Sequence, residues 1–292
     1  MRAILNDPAL NSDLRKDGVA VSRTFLLLGE IAELITIARS ENDNHNLRDV
    51  HIDTPYLLST FNNGYAYKSR IFDRVQKFIG VKMDTLLNNY TPLLINIFEK
   101  SPEFSGSVPI HQNPSFSQEP EHKSVSVWIP LMDVDKHNGT VGVLRGSQDM
   151  FDGVRPPNMG DVFADMHDQL IHQYFEPLVM KAGQVAVLDD SMVHWSFPNL
   201  SGKTRTALQV ICVPKEVPPV YFFYDFVTEQ KQVRMYHCDK TFFFRFNCHE
   251  EPAGLQWVKT FDYEFKVFSP QEFARRMAGR NPNFPAVKEM AL

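Results

Sequence analysis

Apolar residues recur three and four apart over the first eighty or so positions, and every second residue from about Leu93 onward, so the pattern passes from helix to strand along the chain. Leu27, Ile31, Leu34 and Ala38 form one helical stripe, with Glu30, Glu33 and Arg39 directed elsewhere and Thr24 as its cap. A second helix is expected over Ser69–Ile79, where Ile71, Phe72, Val75, Phe78 and Ile79 share a face and Gly80 is the stop. The Asn- and Asp-rich stretch Ser40–Asp49 between them reads as a loop.

Leu93, Ile95 and Ile97 alternate with Leu94, Asn96 and Phe98. Ser124–Leu131 sets Val125, Val127, Ile129 and Leu131 on one face and Ser124, Ser126 and Trp128 on the other, so Trp128 can look into a barrel lumen. Asn138-Gly139 is a hairpin turn signal before a strand over Thr140–Leu144, and Val185–Leu188 and Thr204–Val213 add two more strands. Short strands separated by turn chemistry point to an antiparallel sandwich or barrel. After Pro214 the densest aromatic stretches, Val220–Phe226 and Thr241–Phe246, read as strands buried against the barrel, with a substrate lid or an oligomer face as the other readings. Ser269 caps a last helix that has Pro270 at its first position, and the final dozen residues read as a trailing end.

Composition narrows the functional classes. Lys and Arg number 30 against 35 Asp and Glu, a net charge of -5, so no basic field exists for nucleic acid or an anionic membrane surface. Hydrophobic residues at 43% and charged ones at 22% are ordinary globular values, and 292 residues suffice for one large domain or two modest ones. Three cysteines without a pairing pattern suggest a reducing, cytoplasmic setting. The apolar run Phe25–Ile37 is broken by Glu30 and Glu33 and is too short to span a bilayer, and Met1–Ile4 does not open an export signal.

No Gly-rich phosphate loop and no Gly-x-Ser-x-Gly elbow is present. His237-Cys238 and Cys248-His249 lack the Cys-x-x-Cys knuckle of a zinc site, and His122, His137, His167 and His172 read as loop or surface residues. The informative group is His111-Gln112-Asn113, where Pro114 forces Asn113 into an extended conformation and so sends the side chains of His111 and Asn113 to the same side. His194 follows the strand that ends in Asp189-Asp190, and Arg205 comes eleven residues later. A His and an oxygen donor two apart on one strand, with a distant second His, suit a facial triad on a ferrous ion. Taken singly, His194 also fits an interior histidine, Trp128 a core residue and Arg205 a solvated strand end.

The stretch from Leu93 to Pro214 resembles the phytanoyl-CoA dioxygenase family of Fe(II)- and 2-oxoglutarate-dependent oxygenases. The likeness lies in Phe98-Glu99-Lys100 leading to Pro109-Ile110-His111-Gln112, then in Ser126–Leu131, Asn138-Gly139, Gly146-Ser147 and His194 through Asn199-Leu200-Ser201 to Arg205. The resemblance implies a mainly β fold, a double-stranded β-helix (jelly-roll, cupin-like) barrel. The expected organisation is a single domain with an N-terminal helical flank over 1–90, the barrel core over 91–214 and an aromatic-rich extension over 215–292. It makes His111, Asn113 and His194 the iron-binding set, and Arg205 the residue holding the distal carboxylate of 2-oxoglutarate, for which its planar fork is suited. Ser196 would share that carboxylate, Trp128 would stand beside the cosubstrate, and Asn96 and Gln112 are further candidates for contact with it. The implied cofactors are Fe(II), 2-oxoglutarate and O2, and the implied reaction is hydroxylation or another oxidation of a small organic molecule, with succinate and CO2 as co-products. A small-molecule substrate is the expected partner, without nucleic acid or membrane, and a homo-oligomer stays open.

The chain departs from the family pattern at Asn113, where the family has Asp. An amide is neutral and offers only a carbonyl dipole where a carboxylate offers an anionic oxygen. Three outcomes are open: coordination through the amide oxygen, a water or halide at that position, or a catalytically silent barrel that binds a ligand or a partner subunit. Glu119 and Glu121 lie past the loop and read as solvent-exposed.

Overall fold

The structure is a computed structural model and describes residues 2–43, 54–61, 64–148, 150, 153–226, 231–246 and 250–280. Helix α1 (Pro8–Asp17) starts where the Asp7 carboxylate accepts from the amides of Ala9 and Leu10, and it stops at Gly18, whose φ of 76° suits a residue without Cβ. Strand β1 (Val19–Ser22) follows, then helix α2 (Leu28–Asp43). This helix starts later than Thr24 would set it, because Glu30 reaches back to the Leu27 amide at 2.7 Å and supplies the cap. Most of the expected loop Ser40–Asp49 lies outside the described residues.

After the two-residue strand β2 (Leu57–Leu58) comes helix α3 (Tyr65–Leu86), which runs through Gly80 rather than stopping there. A glycine inside a helix costs about 1 kcal/mol. Burial of Ile79 and Met83 on either side gains about 1.5–3 kcal/mol each, so the helix continues.

The remaining strands are β3 (Tyr90–Lys100), β4 (Val108–His111), β5 (Val125–Pro130), β6 (Val141–Val143), β7 (Glu176–Pro177), β8 (Val185–Asp189), β9 (His194–Ser196) and β10 (Arg205–Pro214). They form two antiparallel sheets. One has the order β1-β8-β5-β10-β3-β2 and the other β4-β9-β6-β7. The first ninety residues therefore contribute two strands to the larger sheet as well as helices. Asn138-Gly139 does not close a hairpin between β5 and β6, since these strands belong to different sheets; it lies where the chain crosses from one to the other.

Alternation decides which face each residue takes. Ile95, Ile97, Val125, Val127, Ile129, Leu208 and Val210 pack outward under Leu34, Ile71, Val75 and Ile79 of α2 and α3. Trp128, Ala186, Leu188 and Ala207 face inward and meet Val141 and Val143 of the smaller sheet. The structure is thus mainly β, a jelly roll with helices over its larger sheet.

Beyond Pro214, β11 (Val220–Tyr224), β12 (Gln232–His237) and β13 (Gln256–Asp262) form a third sheet. The stretch expected as a strand over Thr241–Phe246 is instead helical, α5 (Lys240–Phe244). Asp239 accepts from the amides of Thr241 and Phe242 and so starts a turn, and the turn sends adjacent phenylalanines to different neighbours. The last helix is α6 (Pro270–Arg280), with Ser269 accepting from the Glu272 amide at 3.2 Å; it is preceded by a short helix α4 (His167–Gln173) earlier in the chain. The expected trailing end lies outside the described residues. Among those residues no helix is long and apolar enough to cross a membrane.

Candidate metal and cosubstrate site

A cavity of about 490 Å³ lies between the two barrel sheets. Strands β4 and β9 bring His111 and His194 directly opposite each other, with ring centroids 4.3 Å apart. Each ring is held in the same way. Nδ1 of His111 lies 2.8 Å from the Pro109 carbonyl oxygen, and Nδ1 of His194 lies 2.9 Å from that of Met192. A carbonyl only accepts, so each Nδ1 carries its proton and each Nε2 is left with a lone pair. Burial pushes both imidazoles down, His194 to about 3, with the neighbouring His111 adding to the effect, so both rings are neutral at pH 7.

Asn113 is buried beside them and contacts the His111 ring. Its backbone is braced by Arg155, whose Nε donates to the Asn113 carbonyl at 2.7 Å and whose guanidinium is forked on Glu119 at 2.6 and 2.8 Å. Glu119 is therefore committed to Arg155 and is no substitute ligand. Among the described residues no group of three His, Cys, Asp or Glu is placed to hold a metal ion. Two imidazoles and an amide oxygen are the donors that the site offers. Neutral rings with their Nε2 lone pairs free fit a divalent cation.

Three polar residues stand in a row across the larger sheet. Trp128 on β5 faces Gln209 on β10, and Gln209 faces Asn96 on β3. All three line the cavity. Asn96 Nδ2 donates to Gln209 Oε1 at 3.1 Å, and its Oδ1 accepts from the Thr60 amide at 3.1 Å. The Trp128 indole N–H is buried without a hydrogen-bond partner among the described residues. Gln112 turns the other way and donates to the Ser191 carbonyl, off the cavity wall. The alternation that sends His111 and Asn113 inward sends Gln112 outward, so its assignment to the cosubstrate is corrected.

Arg205 is only 1% exposed, lies over the Phe98 ring at 4.7 Å and donates from Nη2 to the Gly139 carbonyl at 3.0 Å. Its Nε and Nη1 have no hydrogen-bond partner among the described residues. Directly across the β3–β10 ladder stands Lys100, fully buried, its Nζ donating to Ser196 Oγ at 2.6 Å. Burial, and then the charge of Arg205, push Lys100 down to about 6; burial lowers Arg205 to about 10. Like charges directly opposed on neighbouring strands destabilise a sheet. Two such groups, with guanidinium N–H groups to spare, fit an anion reached past Ser196 and Phe98.

Lys100 and Gln209 escaped the sequence reading although the signal was present. Lys100 continues the inward series Leu94, Asn96, Phe98, and Gln209 is the polar break in the inward series Ala207, Gln209, Ile211. Asp190 gave no such signal. It is buried, its Oδ1 accepts from Asn113 and Ser126, and burial pushes it up to about 6. Of the histidines outside the site, His137 is exposed as expected, while His167 opens helix α4 and is half-buried against Asp161.

The rest of the cavity wall is mostly apolar, with Tyr56, Phe61, Phe116, Met159, Phe243 and Phe246, and among the described residues no Lys, Arg, Asp or Glu lines it.

Comparison with known proteins agrees with this architecture. Among solved structures, that of EctD from S. alaskensis with 2-oxoglutarate and 5-hydroxyectoine superposes with a TM-score of 0.53 at 14% identity, covering 73% of this chain and 78% of that one. HygX from Streptomyces hygroscopicus with nickel and 2-oxoglutarate bound gives 0.51 at 11% identity, covering 71% and 87%. Both likenesses are of fold. In sequence, the chain is 29% identical over 155 residues to a phytanoyl-CoA dioxygenase of Arabidopsis thaliana, covering 52% of each. It is also 29% identical over 121 residues to phytanoyl-CoA dioxygenase 1 of rice (Oryza sativa subsp. japonica), covering 40% of this chain and 42% of that protein. The matched region thus spans about half the length of these plant relatives. The sequence profile of the phytanoyl-CoA dioxygenase (PhyH) family matches residues 14–207, from the first helix to the inward face of β10, and the chain belongs to that family.

Proposed function

We propose that the chain is an Fe(II)- and 2-oxoglutarate-dependent oxygenase that oxidises an unactivated C–H bond of a small organic molecule, most simply by hydroxylation, with succinate and CO2 as co-products. The observation that carries this reading is the pair of neutral imidazoles opposed across β4 and β9, with Ser196, two residues past His194, joined to Lys100 of the buried Lys100–Arg205 pair. Fe(II), 2-oxoglutarate and O2 together would supply the oxidising chemistry. His111 and His194 would hold the metal through Nε2, with Asn113 offering its amide oxygen. Arg205, Lys100 and Ser196 would hold the distal carboxylate. The indole N–H of Trp128 and the Asn96–Gln209 pair would bound the cosubstrate on the side of the larger sheet.

The absence of charged side chains from the wall favours a substrate whose enclosed part is neutral and apolar. Phe243 and Phe246 exclude water from the same space. The buried free thiols of Cys212 and Cys238 support a reducing, cytoplasmic setting. Flank, core and extension are best taken as one domain, because β1 and β2 are built into the core sheet.

Asn113 favours a second reading, a barrel that binds the anion or a ligand without turnover. Purified protein supplied with ferrous iron, 2-oxoglutarate and air separates the two. The oxygenase releases succinate, and Arg205→Ala, which removes a buried charged partner, lowers that release on the order of a hundredfold or more. Iron absent by elemental analysis, together with no succinate, would overturn the oxygenase reading in favour of the second.

A further inference from the structure

The Asn113 amide nitrogen is engaged inside the protein: Nδ2 donates to Ser126 Oγ at 2.8 Å and to Asp190 Oδ1 at 2.9 Å. Ser126 has a single hydroxyl proton, and it goes to the same Asp190 oxygen at 2.7 Å. The hydroxyl therefore meets Asn113 as an acceptor, as the carboxylate oxygen does. Exchanging amide nitrogen and oxygen would set an oxygen against two acceptors, so one orientation alone satisfies all three groups. It leaves Oδ1 as the amide atom free to meet the His111 ring. Asn113, Ser126 and Asp190 are 5%, 2% and 0% exposed. The three come from separate places in the fold: Asn113 follows β4, Ser126 lies on β5 in the other sheet, and Asp190 follows β8.

We infer that Asp190 and Ser126 are positioning residues for a metal ligand. They fix the Asn113 amide with its oxygen toward the two imidazoles, and Asp190 holds, one layer behind the ligand, the negative charge that a carboxylate at position 113 would carry in it. This rests on the reading of His111, Asn113 and His194 as the metal-binding set. A neutral amide oxygen is a weaker donor to a ferrous ion than a carboxylate. An anion hydrogen-bonded to the amide N–H groups draws their protons and moves electron density onto the oxygen, as outer partners of metal ligands do.

The arrangement makes Asn113→Asp an unusual substitution. The new carboxylate would face Asp190 with no proton to give it, and Ser126 can serve only one of them. Reversing the pair, as Asn113→Asp with Asp190→Asn, restores a donor behind an acceptor and moves the charge to the ligand itself.

Cobalt(II), titrated into the full chain under argon and followed by its ligand-field absorption and by equilibrium dialysis, tests this without turnover. Asp190→Ala and the milder Ser126→Ala should each weaken cobalt binding, by about tenfold to a hundredfold for Asp190→Ala, and alter the absorption bands. Asn113→Asp alone should bind no more than a few-fold tighter than the unaltered chain, and the reversed pair at least tenfold tighter than Asn113→Asp alone. Circular dichroism establishes that each variant is folded; if Asp190→Ala is not, Ser126→Ala and the reversed pair still decide. Unchanged affinity and spectrum in the folded Ser126→Ala and Asp190→Ala proteins would overturn the inference, as would Asn113→Asp alone equalling the reversed pair. No cobalt uptake by the unaltered chain overturns the metal reading beneath it, a different result from the other two.

Discussion

Lys100 and Arg205 face each other across one rung of the β3–β10 ladder, and among the described residues no carboxylate makes an ion pair with either. The groups around Lys100 are Arg205 from β10, the Ser196 hydroxyl from β9, the carbonyl of Phe197 just after it, and the Phe98 ring from its own strand; Glu99, on the outward side, acts on Arg205. Burial holds the Lys100 ammonium at about 6, so the free protein carries a neutral amine there between pH 6 and its ordinary value of 10.5. The unfolded chain binds a proton that the native one lacks over this range, and Lys100 makes native stability rise with pH. An anion reverses the preference. Binding 2-oxoglutarate should take up a proton, so affinity falls as pH rises above about 6, by up to tenfold per unit. Calorimetry in two buffers of different ionisation enthalpy reads the proton directly, and Lys100→Met should remove both the uptake and the slope. A pH-independent affinity without proton uptake would contradict this.

At this scale the inward histidines stand in a motif whose spacing has a geometric meaning, whereas Arg205 was suggested only by the family resemblance. Lys100 and Gln209 were legible in the alternation, but nothing in the sequence gives either a role. Asp190 was not legible at all, since its contact with Asn113 spans 77 positions and depends on the closing of the barrel.

Elements show a similar division. The strands over Leu93–Phe98, Ser124–Leu131 and Thr204–Val213 were visible as alternation because each is two-faced, with one side under the helices and one in the barrel. The stretch around Phe242–Phe244 was not, because a run of aromatics has no period and the Asp239 cap decided the matter. Strand β9, which carries His194 and Ser196, depends on its neighbour β6 through Gly142, opposite Trp195. A Cβ at Gly142 would lie 2.3 Å from Trp195 Nε1 and 2.7 Å from its Cδ1. Trp195 is wedged between Phe175 and Phe197, with centroids 5.9 and 4.5 Å away, and has little room to yield. Gly142→Ala should therefore lower stability by about 1–3 kcal/mol, measured by urea denaturation, and weaken 2-oxoglutarate binding through the displaced strand. A variant with unaltered midpoint and affinity would show that Trp195 does not hold β9 in place.

The whole molecule joins two chemistries in one cavity. Neutral imidazoles and an amide lie on the smaller sheet and its following loop, the Arg205 guanidinium and the Lys100 amine are buried behind Ser196, and the remaining wall is mostly apolar. Charge is thus kept to the side of the anionic cosubstrate, and the substrate space is left neutral. Helices α2 and α3 cover the outer face of the larger sheet and make no part of the site, which explains why the flanking helices could be read from sequence without any bearing on function. The β5–β6 crossing misled the reading of Asn138-Gly139, since a local turn signal does not tell which sheet receives the next strand. The most direct test is anomalous diffraction from crystals of the chain soaked without oxygen in ferrous iron and 2-oxoglutarate. The account predicts an iron peak bound by Nε2 of His111, Nε2 of His194 and Oδ1 of Asn113, with the distal carboxylate of 2-oxoglutarate on Arg205 and Lys100. An iron-free site, or 2-oxoglutarate bound away from that pair, would contradict it.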